Sequence, residues 1–148
     1  MMGLVDSSAK HGDITHNPFD FQHKGLNSLS IHMDGVQYPT IPFRPNFSSG
    51  KWVRPYQEFF KATGQYYGSD APEISYEEYG DGHTLYALDL SPDLSAMNGS
   101  HFNLIKNGSM CINLHFEKAL DCNMSLVVLA VFQNIIEIDK SRNVTKDY

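Results

Sequence analysis

"IKNGSMCINLHFEKAL", residues 105–120, decides the fold class, because apolar and polar side chains alternate in it behind an Asn107-Gly108 turn signal. Successive side chains of a β-strand point to opposite faces of the sheet. One face therefore carries the apolar residues Met110, Ile112, Leu114 and Phe116. The other face carries Cys111, Asn113, His115 and Glu117. The pattern predicts a strand that packs one face against a core and exposes the other to water.

Several other segments are also typical of strands. "LSIHMDG" (29–35) places alternate apolar residues on one face, and its Asp-Gly pair supplies a hairpin turn before "VQYPTIPF" (36–43). "IIEIDKSRNV" (135–144) adds a short alternating strand. Two segments are apolar on both faces, as in strands buried on both sides: "HTLYALDLS" (83–91) and "CNMSLVVLAVFQN" (122–134).

One short helix is predicted over "RPYQEFFKATG" (54–64). Pro55 suits a first helical turn, the aromatic residues Tyr56, Phe59 and Phe60 share one side, and Gly64 ends the helix. A further helical turn is indicated by Ser75 and Glu78, which have the spacing of a capping box.

Six or seven strands, one short helix and no strand-helix-strand rhythm predict an all-β fold, an antiparallel jelly-roll-like β-sandwich. We place this domain at residues 26–148 and expect residues 1–25, which are mostly polar, to form an N-terminal arm or loop. The residues expected to be buried in the core are Leu85, Leu88, Ile112, Leu114, Val128 and Ala130.

Composition limits the classes of partner. A chain of 148 residues is large enough to bury the core of one domain without metals or disulfides. Its net charge of −6 gives no basic surface for phosphates, so nucleic acid is not expected as a partner. The longest apolar run, "LVVLAVF" (126–132), is far shorter than the roughly 20 residues of a membrane span. No membrane partner is expected.

The expected location is intracellular and soluble, because the N-terminus has no signal-peptide pattern. Cys111 and Cys122 are expected to be free thiols of a reducing compartment. The five Asn-x-Ser/Thr sequons are then interpreted as chance occurrences in a chain rich in Asn and Ser.

Two groups of polar residues deserve weighing as chemical sites. His115 and Glu117, with Cys111 and Asn113 on the same face, have a spacing that suits a metal, but the His-x-His and following Glu of a cupin-type site are missing. A solvated polar face is the favoured interpretation. We therefore predict no metal site and no cofactor.

The second group is Asp89 and Asp93, which straddle a strand end and would suit an acid/base pair. An Asp before Ser-Pro is more often a turn residue that accepts hydrogen bonds from its own backbone. No nucleophile elbow, phosphate loop or dinucleotide fingerprint occurs. The chain is predicted not to be an enzyme and to have no catalytic residues.

The aromatic residues of "WVRPYQEFF" (52–60) and "GQYYG" (64–68) allow two interpretations. They would suit a ligand platform, as in carbohydrate-binding sandwiches, or they pack a helix onto the sheet. Packing is favoured, and a β-sandwich that binds a carbohydrate or small molecule stays as the alternative function.

Four segments carry a family resemblance: "NPFDFQHKGLNSLSIHMDGVQYPTIPFRPNF" (17–47), "YGDGHTLYALDLSPDL" (79–94), "HFNLIKNGSM" (101–110) and "VFQNIIEIDKSRNV" (131–144). Together they resemble the C-terminal part of the double jelly-roll, capsid-like proteins of Polinton and adintovirus-type elements and their endogenous copies in invertebrate genomes.

The resemblance implies a structural, non-enzymatic role, in which the chain associates with copies of itself or with other capsid subunits. It also implies a virion as the alternative to the intracellular, soluble location. On this resemblance we expect the jelly-roll-like sandwich to be incomplete, without the additional jelly roll with which the family members begin and without the early strands of the second. A nonfunctional endogenous viral remnant is therefore another alternative. We also expect an unpaired strand edge and an uncovered apolar face, with strands around residues 26–33 and 124–138 as contributors.

Overall fold

The computed structural model describes residues 1–66, 73–91, 94, 96, 108–132 and 136–146. Within these residues the chain forms eight strands and three short α-helices. In chain order the elements are β1 (Met2–Asp6), α1 (Ser7–Lys10), β2 (Leu26–Met33), β3 (Val36–Phe43), α2 (Val53–Ala62), α3 (Tyr76–Gly80), β4 (Leu85–Tyr86), β5 (Met110–Phe116), β6 (Met124–Val128), β7 (Ile136–Ile138) and β8 (Val144–Lys146).

Two three-stranded antiparallel sheets pack against each other across the main core. Their strand orders are β4-β1-β6 and β3-β2-β5, and β7 pairs with β8 in a separate hairpin. The buried side chains of the main core are Met2, Leu4, Leu26, Leu29, Ile31, Phe43 and Tyr86. Because both sheets contribute to one apolar cluster, the prediction of an all-β, sandwich-like fold is confirmed.

Strand β5 has the facing that its sequence predicts. It pairs with β2 so that Ile112 lies opposite Ile31 and Leu114 lies opposite Leu29, and these side chains pack into the main core. The β2-β3 hairpin is also confirmed. Its turn residues Asp34 and Gly35 have φ angles of 50° and 81°, the left-handed conformation that a two-residue hairpin turn requires. The Asn107 of the other turn signal lies outside the described residues.

The N-terminal segment corrects the expectation of an arm over residues 1–25. Met2–Asp6 forms the middle strand of sheet β4-β1-β6, and its first four residues are buried. Gly3 is required there, because a Cβ atom would lie 2.6 Å from the Phe21 ring and 2.9 Å from the Leu85 side chain. The sequence did not predict this strand, because its five residues include a glycine and are apolar on both faces. They therefore show no alternation of apolar and polar side chains.

Helix α2 confirms the predicted helix, and Gly64 follows its end with φ of 74°. The capping box is also present: the Glu78 backbone N–H donates to Ser75 Oγ and the Ser75 N–H donates to Glu78 Oε2, at 3.2 and 2.9 Å. A second cluster of buried side chains lies under these helices, formed by Phe59, Phe60, Tyr79 and Ala87.

The predicted strand over residues 83–91 is much shorter than expected. Residues 83–91 contain only the two-residue strand β4, at the edge of its sheet among the described residues. The segment is apolar on both faces because Tyr86 packs into the main core while Leu85 packs into the second cluster.

No helix of the described part has the length and apolar character needed to cross a membrane.

Residues 122–134 were expected to be buried on both faces. This prediction is wrong for residues 127–132, and residues 133 and 134 lie outside the described residues. Strand β6 ends at Val128, and residues 127–132 are exposed, Val128 and Ala130 among them. Leu85, Leu88, Ile112 and Leu114 do pack against the two cores as partly buried side chains. Strand β2 is not an open edge either, because it has a partner strand on each side.

Candidate functional site

The outer face of sheet β3-β2-β5 carries the polar residues that alternation predicted. His32 lies opposite Cys111 in the strand register, and Asn113 Nδ2 lies 2.9 Å from His32 Nδ1. The Cys111 thiol contacts Asn113 Oδ1 at 3.5 Å, so the contacts on this face run from the thiol to the amide and from the amide to the imidazole. Cys111 and Cys122 both have free thiols.

Two further polar residues of β5 and its end lie near this face. His115 and Glu117 are exposed, and Glu117 accepts a hydrogen bond from Ser48 Oγ at 3.3 Å. In the described part of the chain, no three His, Cys, Asp or Glu side chains converge as a metal ion would require.

Asp89 has the partners of a turn residue. Its Oδ1 accepts hydrogen bonds from the Ser91 backbone N–H and hydroxyl at 2.8 and 2.6 Å, and its Oδ2 accepts from the Ala96 N–H at 3.0 Å. The structural interpretation of this carboxylate is therefore supported. Asp93 lies outside the described residues, so the predicted pair is not tested.

The aromatic residues around helix α2 stack on one another. The rings of His23, Phe47, Trp52 and Tyr76 form a continuous stack, with centroid separations of 4.0, 5.3 and 5.0 Å between neighbours. Trp52 Nε1 donates to the Tyr76 carbonyl at 3.0 Å. Rings that are stacked in this way present little free face to a sugar, so the geometry favours packing over a ligand platform. Tyr66 is described and exposed, and Tyr67 lies outside the described residues.

His23 closes one end of this stack and has a polar role of its own. Its Nδ1 accepts a hydrogen bond from the Gly25 backbone N–H at 2.9 Å. Burial, followed by the charge of Lys24, lowers the pKa of His23 below its ordinary value of 6.5. Both effects and the accepted hydrogen bond favour the neutral imidazole in the folded chain.

Two small depressions lie beside this stack. One is lined by Phe47, Leu26 and Glu117, among others, and the second by His23, Asp20 and Asp81. Their volumes are about 170 and 250 Å³. Both fall below the roughly 300–1,000 Å³ of typical small-molecule sites.

Many exposed apolar side chains of the described residues lie at the C-terminal end. We call this region the C-terminal apolar segment: residues 127–132 together with the β7-β8 hairpin. Val131 and Phe132 are 85% and 82% exposed. In the hairpin the exposed apolar side chains are Ile136, Ile138 and Val144. Contiguous exposed apolar residues of this kind mark interaction sites or aggregation hazards.

The hairpin has no hydrogen bond to the sandwich among the described residues. Ile138 lies opposite Val144, and Ile136 shares their face because it is two residues from Ile138. The tip is held internally, since Asp139 accepts from the backbone N–H and the side-chain amide of Asn143, both at 2.8 Å. The sequence predicted an uncovered apolar face with residues 124–138 as a contributor, and the exposure of residues 127–132 and 136–138 agrees with this prediction.

Comparison with curated proteins gives a relative from a nematode. A Caenorhabditis elegans protein with the name "Uncharacterized protein F54H12.2" is 28% identical over 146 residues, which cover 96% of this chain and 34% of that protein. The chain thus spans about a third of the length of the curated relative it matches. No family model and no solved structure matches the chain. The relative's name specifies no activity or partner.

Proposed function

We propose that this chain is a structural, non-enzymatic module of the capsid type that acts by self-association. The observation that carries the proposal is the C-terminal apolar segment, whose apolar side chains are exposed in the described structure while those of the main core are buried. Each Å² of apolar surface removed from water contributes roughly 25 cal/mol, so covering this segment is a substantial driving force for association. The capsid type, and a jelly-roll strand order, come from the resemblance of residues 17–47, 79–94, 101–110 and 131–144 to the capsid-like family.

The alternative function, binding of a carbohydrate or small molecule, receives less support. The aromatic rings that would form the platform stack on each other, and the two depressions beside them are small. Self-association requires no rearrangement of these contacts, whereas ring stacking of a sugar would require the aromatic stack to open.

The test measures molecular mass against concentration for the full chain by light scattering. We expect mass to rise with concentration. Val131→Ser combined with Phe132→Ser should weaken association without unfolding the chain, because both side chains are already exposed. A matched control makes the same changes elsewhere, Val36→Ser with Phe19→Ser, at side chains that are 55% and 73% exposed.

The control should associate as the unmodified chain does. A chain that stays monomeric at all concentrations, or a control that loses association equally, contradicts the proposal.

A further inference from the structure

Within the described residues, β3, β4, β5 and β6 each lie at the edge of a sheet. Two β elements with an open side follow each other at the C-terminal end of the chain. One is the outer edge of β6, since the sheet order is β4-β1-β6. The other is the β7-β8 hairpin, whose apolar face is exposed. A two-stranded hairpin is marginally stable in water by itself, and an open edge is a template for another strand. A neighbouring strand would thus stabilise the hairpin, and the edge of β6 is a position where a strand can pair.

The hydrogen-bonding groups at the open edge follow from the β1-β6 register. Met1 and Leu129 exchange both backbone hydrogen bonds, each 2.8 Å long, and the Ser7 N–H donates to the Asn123 carbonyl. In an antiparallel ladder bonded and non-bonded pairs alternate, so odd-numbered residues of β6 bond to β1. The N–H and C=O groups of Leu126 and Val128 therefore point to the open edge.

The side-chain faces of the two elements also match. Met124 and Leu126 point from β6 into the main core, and Val128 follows on the same face at the rim of the sheet. Ile136 and Ile138 form an equivalent apolar row on β7. If β7 is added beside β6, its apolar row extends the inward face of sheet β4-β1-β6, and the polar Glu137 faces outward.

Charge gives the direction of this pairing. An antiparallel arrangement brings the hairpin tip, with Lys140 and Arg142, to the start of β6, where Asp121 lies. The Asp121 side chain is 79% exposed, and its contact to the Lys24 amine is long, 3.5 Å, so the carboxylate is accessible to further cations. A parallel arrangement would bring the two cations to the apolar end at Val128 instead.

We infer that β7 of one copy pairs antiparallel with the β6 edge of a second copy, so that two copies exchange their C-terminal hairpins. This inference rests on the proposed function, since it names the surfaces through which the chain self-associates. The partner is a second copy because a single chain presents both the donor hairpin and the acceptor edge, whereas β7 pairs only with β8 in the described structure.

The experiment uses two full-length variants that each remove one half of the contact. Val128→Pro blocks the edge, and it removes an N–H that points away from β1, so the strand itself is kept. The second variant, Ile136→Asp with Ile138→Asp, removes the apolar row of the hairpin at side chains that are 59% and 69% exposed. Circular dichroism spectra of both variants serve as the control that each variant is folded.

Each variant alone should associate at least tenfold more weakly than the unmodified chain in analytical ultracentrifugation. A 1:1 mixture should recover association as a heterodimer in native mass spectrometry, because the edge-blocked copy still donates its hairpin and the hairpin variant still offers its edge. Asp121→Lys should weaken association, and Lys140→Asp with Arg142→Asp in the same chain should restore it.

The outcomes separate this inference from the proposed function. If the unmodified chain associates but the mixture of variants does not, the exchange is wrong and self-association stands. If the unmodified chain is monomeric at all concentrations, both are wrong. A monomer whose β7 amides are protected from hydrogen exchange means that the hairpin docks on its own chain, which also overturns the exchange.

Discussion

Replacing Tyr86 by Phe should stabilise this protein, although Tyr86 lies in the main core. Its side chain is 2% exposed, and among the described residues its hydroxyl has no hydrogen-bond partner. A buried hydroxyl without a partner costs about 1–3 kcal/mol. Phe keeps the ring and its packing, so Tyr86→Phe should raise the free energy of unfolding by about 1–2 kcal/mol.

Tyr79 supplies the matched control, because it is equally buried but its hydroxyl donates to the Leu85 carbonyl at 2.7 Å. Tyr79→Phe removes this bond and leaves the carbonyl unpaired, so it should lower the free energy of unfolding by about 1–2 kcal/mol. The two substitutions are chemically identical and should act in opposite directions.

Urea denaturation followed by the fluorescence of the single tryptophan, Trp52, measures both effects. The concentration must be low enough that unfolding of the monomer is observed. If Tyr86→Phe lowers the free energy of unfolding by more than about 1 kcal/mol, the reasoning is refuted. Such a loss would mean that the Tyr86 hydroxyl has a hydrogen-bond partner.

Alkaline pH gives a second readout of the same burial. Burial raises the pKa of Tyr86, and it also raises that of Tyr79, well above the ordinary value of 10. The unfolded chain therefore loses these protons first, and stability is lost as pH rises above about 10. Tyr86→Phe should reduce this loss between pH 9 and pH 11.

Two further predictions concern the core and the histidine of the aromatic stack. Leu114→Ala should lower the free energy of unfolding by about 2–3 kcal/mol, because Leu114 packs against the main core. Val128→Ala should lower it by less than about 1 kcal/mol, because that side chain is exposed. Equal losses of the two variants in chemical denaturation would contradict the facing of β5 and β6. The lowered pKa of His23 means that its contribution to stability is lost as pH falls below 6.5. His23→Gln should therefore destabilise the chain more at pH 7.5 than at pH 5.5 in thermal unfolding, and an equal effect at both pH values would argue against a neutral imidazole in the folded chain.

The parts of the fold that the sequence predicted are those with a local signal. The β2-β3 hairpin has its Asp34-Gly35 turn, β5 has seven alternating residues, and α3 has a capping box whose two partners are three residues apart. Each signal depends on neighbours in the sequence, so no knowledge of the rest of the chain is needed.

The parts that were not predicted depend on contacts between distant segments. Strand β1 is central because β4 and β6 pair with it from more than 80 residues away. Residues 83–91 are apolar on both faces because two different clusters meet at β4. A pattern of side chains shows that both faces are apolar, but it does not show which element covers each face.

The same ambiguity explains the C-terminal apolar segment. The run "LVVLAVF" (126–132) was predicted to be covered on both faces, whereas the structure leaves most of it exposed among the described residues. Apolar side chains gain the same free energy when they are covered by their own chain or by another chain. Continuous apolarity therefore predicts that a cover exists and leaves its source undetermined. Leu126 packs against the main core of its own chain, whereas Val131 and Phe132 are exposed. We propose that a partner chain covers the run from a point between Leu126 and Val131 onward. Substitutions at Leu126 should therefore affect folding, and substitutions at Val131 and Phe132 should affect association alone.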